Sequence, residues 1–98
     1  MANERMTADD RTAQLTQAGY HSAKTKGIKK VTRAAVARDT GVSTGLINRY
    51  FGDREGLRAA VLEKAVELKD AKTLAEASVL YELPTMPRTL AAEVKRLH

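Results

Sequence analysis

Apolar residues recur every three to four positions along most of the chain, and polar caps and glycines interrupt them at short intervals. That rhythm predicts a succession of amphipathic helices. Thr7, with Asp9 and Asp10 in a first turn where the helix dipole favours acids, predicts a first helix over residues 8–26. Its stripe of Leu15, Ala18, Ser22 and Ala23 is thin, and Gly19 within it costs roughly 1 kcal/mol of helix propensity. Lys24 and Lys26 suit the C-terminal end, Gly27 predicts a left-handed cap and Ile28 the apolar contact after it. Met1–Met6 read as a loose tail.

The pattern is densest from Val31 to Phe51. Thr32 caps a second helix, and Val31 is spaced to staple against Val36. Ala35 or Val36, with Ala37, faces inward and is small enough for close helix approach. The helix ends at Thr40-Gly41, where glycine permits a sharp turn. Val42 plugs the corner, and Ser43 caps a short third helix ending near Gly52. Ile47, Tyr50 and Phe51 point to the core, which leaves Thr44, Gly45, Asn48 and Arg49 outward. Two short helices joined by a glycine turn, the second with small polar residues outward, suit the DNA major groove.

Asp53 caps a fourth helix whose stripe is Leu57, Val61, Ala65 and Leu68, then Ala75 and Val79, widened by Leu62 and Val66. The pattern offers no reason for Gly56 in its first turn. The helix either breaks around residues 70–73 or continues to Glu82. Leu83-Pro84-Thr85-Met86-Pro87 interrupts it, and a last helix starts at Thr85 or Met86 with Met86, Leu90, Val94 and Leu97 on one face. The expected fold is all-α in a single domain, residues 1–98. Residues 7–58 form its helix–turn–helix part and residues 59–98 a helical dimerisation part.

Charge sharpens this picture. The net charge is +5, and residues 1–58 carry all of the excess, with eleven Lys/Arg against six Asp/Glu. Residues 59–98 hold six of each. A basic half favours a polyanion, although a merely solvated basic surface has the same composition. There is no cysteine, no apolar run near the ~20 residues of a membrane span, and no signal-peptide core. A cytoplasmic protein without membrane contact is expected. His21 and His98 have no partners at ligand spacing, so no catalytic residue, metal or cofactor is expected.

From Gly27 to Leu62 the chain resembles the DNA-binding domain of the tetracycline-repressor (TetR) family. The resemblance rests on Gly27, Val31-Thr32, Val36-Ala37, Gly41-Val42-Ser43, Gly45, Ile47, Tyr50-Phe51 and Asp53-Arg54-Glu55-Gly56-Leu57. It departs at Asn48, where the family usually has Tyr, at Leu46, where a small residue is usual, and in the first helix, which has few large apolar residues. The resemblance implies DNA contacts from Thr32, Arg33, Ser43, Thr44, Gly45, Leu46, Asn48, Arg49, Tyr50 and Arg54. Thr32 pairs a free helix-start amide with a hydroxyl and suits a phosphate, or it is a cap only. Arg33 has the geometry for a guanine edge, or it is one more surface arginine. Gly45 lets the backbone approach the groove, or it allows tight packing against another helix. Asn48 suits adenine N6 and N7, or it is idle, and Leu46 touches a thymine methyl or packs. Arg49, Tyr50 and Arg54 suit phosphates, while Lys29 and Lys30 contribute long-range charge.

One short helix buries too little for tight specific binding, so two copies on a palindromic operator are expected. Leu62, Val66, Leu68, Val79, Leu90, Val94 and Leu97 are the expected dimer interface, unless they only complete the core. TetR-family members normally continue into a large ligand-binding domain, and short plasmid- or phage-borne regulators resemble the DNA-binding half alone. The expectation is therefore a homodimeric repressor of double-stranded DNA with no small-molecule inducer. An architectural DNA-binding protein and a protein-interaction module reusing the fold are the alternatives.

Overall fold

The computed structural model describes residues 7–98; the expected tail, Met1–Met6, lies outside the described residues. Six helices follow one another: α1 (Ala8–Lys26), α2 (Arg33–Thr40), α3 (Thr44–Phe51), α4 (Arg54–Glu67), α5 (Ala71–Ser78) and α6 (Arg88–Leu97), with a 3₁₀ turn at Ile28–Lys30. The fold is all-α, and the described residues include no strand.

Local chemistry sets most of the boundaries. Thr7 and Asp10 form a reciprocal capping box on α1, with the Asp10 amide donating to Thr7 Oγ1 at 3.0 Å and the Thr7 amide to Asp10 Oδ2 at 3.4 Å. Thr32, Ser43 and Asp53 each accept the third amide of their helix, from Ala35 at 3.1 Å, Leu46 at 3.1 Å and Gly56 at 2.8 Å. Such a cap stabilises a helix by ~1 kcal/mol. Gly27 ends α1 with a positive φ of 103°, but its ψ of 152° lies outside the left-handed helical region expected for it.

The core runs through every helix. Leu15, Ile28, Val36, Ile47, Leu57, Val61 and Leu74 are sealed from solvent. α1 packs mainly on α4, and Gly19 is what permits this. A Cβ there would stand 2.8 Å from Val61 Cγ2 and 3.6 Å from Leu57 Cδ1. The propensity lost at Gly19 is thus offset by closer helix packing.

Residues 59–98 depart from the expected stripe. The fourth helix stops at Glu67. The Lys69 amide reaches the Val66 carbonyl at 3.0 Å and the Asp70 amide reaches Ala65 at 2.8 Å. These two bonds make a Schellman closure, with Lys69 at φ 56° where glycine is usual. A lysine there costs roughly 1 kcal/mol, and no glycine marks the break in the sequence. Asp70 then caps α5, its Oδ1 accepting the Thr73 amide at 3.2 Å. The break ends the single stripe: Ala75 is buried, but Leu68 is 51% and Val79 70% exposed. α6 starts at Arg88, after Pro87 rather than at Thr85 or Met86.

The expected dimer interface needs correcting for the same reason. Leu62, Leu90 and Val94 are buried within this chain's own core, because α5 turns back and α6 packs on it. At 5% exposure or less they complete this chain's own core, the alternative reading of these residues. Val66 is half-buried against the core, and only Leu68, Val79 and Leu97 of that set are exposed.

Candidate nucleic-acid interface

α2 and α3 are joined by a turn that glycine and two side chains fix. Gly41 adopts a left-handed φ of 75° and ψ of 11°, and its amide returns to Ala37 at 2.8 Å. Thr40 Oγ1 donates to the Val36 carbonyl at 2.7 Å and accepts the Val42 amide at 3.3 Å. Val42 is buried in the corner. The Gly41 backbone, the Thr40 hydroxyl and the buried Val42 side chain together hold the turn between the two helices.

This turn divides α3 into two faces. Ile47 is sealed in the core, and Leu46, Tyr50 and Phe51 pack partly against it. Thr44, Gly45 and Arg49 are exposed, with Asn48 half-buried beside them. At Gly45 an added Cβ would meet only Ser43 Oγ, at 3.9 Å. Tight helix packing is thus not the reason for glycine here. The open side of α3 has no covering element among the described residues.

The flanking residues converge on the same region of sequence and differ in their freedom. Thr32 and Ser43 spend an acceptor lone pair on their caps and keep a hydroxyl proton to donate. Arg54 is exposed, but one guanidinium nitrogen donates to the Lys29 carbonyl at 3.3 Å, tying the start of α4 to the 3₁₀ turn. Arg33 Nη1 donates to Asn48 Oδ1 at 2.7 Å, joining the first residue of α2 to the outer face of α3. Nothing in the local sequence signals this bond, since fifteen positions and a turn separate the two residues. Lys29, Lys30, Arg38, Arg49 and Arg54 are all exposed.

A second polar cluster escaped the sequence pattern. Asp70 Oδ2 accepts from Tyr20 Oη at 2.5 Å and Thr73 Oγ1 at 2.7 Å, and it pairs with Lys24 Nζ at 3.0 Å. Burial alone would raise the Asp70 pKa, but the bonds from Tyr20, Thr73 and Lys24 outweigh it and hold the carboxyl at about 2. Burial and then the Asp70 bond push the Tyr20 phenol up to about 12. Arg58 stacks over the Tyr81 ring at 3.8 Å from its centroid. Among the described residues no group of His, Cys, Asp or Glu side chains could hold a metal ion, and no helix is long and apolar enough to cross a membrane.

Residues 15–61 match the family model for bacterial regulatory proteins of the tetR family. These residues form a TetR-type helix–turn–helix domain. The TetR-type domain takes in most of α1, both helices of the turn and the first half of α4. Curated relatives include the HTH-type transcriptional regulators BetI of Paraburkholderia phytofirmans and of Burkholderia thailandensis, each 40% identical over 52 residues. That alignment covers 53% of this chain and 27% of the length of each regulator. No solved structure gives a significant match.

Proposed function

We propose that this chain is a sequence-specific transcriptional regulator that binds double-stranded DNA through the outer face of α3, with Thr44, Gly45, Leu46 and Asn48 at the bases or their edges and Arg49 at a phosphate. Thr32, Arg33, Ser43, Tyr50 and Arg54 flank that face and supply phosphate contacts, Arg33 also reaching toward the bases. The observation that carries this reading is the open side of Gly45. A glycine in a helix is a cost unless something needs the space, and no part of the chain occupies it.

Gly45→Ala tests the reading directly. The fold has room for the methyl group, so thermal stability should rise by an amount on the order of 0.5–1 kcal/mol. Affinity for the preferred operator, measured by fluorescence anisotropy, should fall at least ~5-fold, the lower end of what one lost base-edge contact costs. A stabilised variant that binds the operator unchanged would remove α3 from the interface.

Repression by occupancy of a palindromic operator follows if two copies associate, each placing one α3 in a half-site. Leu68, Val79, Leu80 and Leu97, between 45% and 70% exposed, are the apolar side chains this chain offers to a second copy. Sedimentation equilibrium without DNA should show a dimer at micromolar concentration. A monomer under those conditions would rule out the preformed homodimer.

A further inference from the structure

We infer that Arg33 and Asn48 read DNA as one coupled, donor-only element that selects guanine and rejects adenine at their base pair; this rests on the DNA-binding reading above. An asparagine facing a groove ordinarily suits adenine, because its amide accepts from N6 and donates to N7. Here that capacity is committed elsewhere. Arginine has donors and no acceptor, so the amide atom 2.7 Å from Arg33 Nη1 must be the oxygen. The amide is oriented by chemistry, and its Nδ2 group turns away from the arginine.

The consequence is a change in what the pair offers. Asn48 Oδ1 holds a short, charge-assisted bond, and its remaining lone pair lies beside a cation. An adenine N6 amino group approaching there meets a positive guanidinium. Nδ2 keeps two N–H donors; among the described residues Asn48 Nδ2 donates no hydrogen bond and Arg33 donates none besides the one to Oδ1. Guanine presents two acceptors, N7 and O6, on the edge where adenine presents an acceptor and a donor. The pair matches the first and opposes the second.

The location supports a reading role. Arg33 opens α2, and Asn48 lies one turn along α3 from Thr44, outside the face that Ile47 buries in the core. Both side chains are half-buried, so the bond is sheltered enough to persist and open enough to meet a ligand. The two helices are also held at a fixed angle by the Gly41 turn, so the pair enters the groove already assembled.

The test is selection from a random DNA pool with the intact chain, Arg33→Ala, Arg33→Lys and Asn48→Ala, followed by affinities for matched sites. The parent should select guanine at one position of each half-site, over adenine by about tenfold. Arg33→Ala frees Oδ1 and should switch that position to adenine, while the other positions stay unchanged. Arg33→Lys retains charge but not the planar fork, and guanine preference should weaken without a clean switch. The double variant Arg33→Ala/Asn48→Ala should lose less affinity than the two single losses combined. In the free protein, Arg33→Ala should shift the NMR signals of the Asn48 Nδ2 protons, which reports the pair without DNA. Adenine selected by the parent, or independent effects of the two substitutions on DNA affinity, would overturn the inference while leaving DNA binding intact. No enrichment of any sequence by the parent would overturn the functional reading beneath it.

Discussion

Gly56→Ala should destabilise this protein by a net ~2–3 kcal/mol, although the substitution adds a better helix former to the first turn of a helix. A Cβ at position 56 would lie 1.9 Å from the carbonyl oxygen of Phe51 and 3.0 Å from its carbon. Those are backbone atoms at the end of α3. They cannot rotate aside as a side-chain tip would, so relief requires moving the α3 exit or unwinding the start of α4. The helix propensity recovered is about 1 kcal/mol, smaller than the cost of the clash. Thermal unfolding should show a midpoint lowered by roughly 10–20 °C. Gly45→Ala, the same exchange in the preceding helix, should shift the midpoint the other way. Equal or higher stability in Gly56→Ala would mean that the Phe51–Asp53 connection is looser than its geometry implies. DNA affinity is expected to suffer too, since the displaced carbonyl belongs to the helix that carries Asn48 and Arg49.

Gly56 also illustrates what could be seen in the sequence. Caps and turns rest on neighbours a few residues apart, so Thr7, Thr32, Gly41, Ser43 and Asp53 announced the first four helix starts and the central turn without any tertiary information. The outward residues of α3 followed from one buried position, Ile47, and the helical period. Gly56 answers to a carbonyl outside its own helix, and a pattern of apolar spacing contains no trace of that contact. The α4–α5 break stands in the sequence only as one of two alternatives, because Lys69 occupies the position where glycine would decide it. Leu62, Leu90 and Val94 were legible as apolar, but periodicity tells which face is greasy and not which surface covers it. Arg33 and Asn48 were each picked out as DNA candidates, while their bond depends on the angle between two helices.

Asp70→Ala should cost on the order of 2–3 kcal/mol, because one carboxylate caps α5 and joins it to α1. Removing it frees the Thr73 amide, strips the partner from the Tyr20 hydroxyl, and leaves Lys24 without its ion pair. The bond to Lys24 contributes least, since that lysine is 42% exposed and screened by solvent. Asp70→Asn should fall between, as asparagine caps well but lacks charge. The two variants differ from the parent in pH dependence as well as in magnitude. The folded pKa of Asp70, about 2, lies below its ordinary 3.8, so its contribution is present above pH 3.8 and disappears as pH falls toward 2. With solvent screening allowed for, the parent should lose ~1–2 kcal/mol from this group across that window, and Asp70→Asn should lose none of it. Tyr20 acts at the opposite end, because its folded pKa of about 12 exceeds the ordinary 10.0. Stability should therefore also decline as pH rises from 10 to 12, when the phenol ionises in the unfolded chain before it does so beside Asp70. Urea titrations of parent and Asp70→Asn from pH 2 to 7 measure the acid limb. Parallel curves through that range would show that Asp70 is not the group that joins α1 to α5.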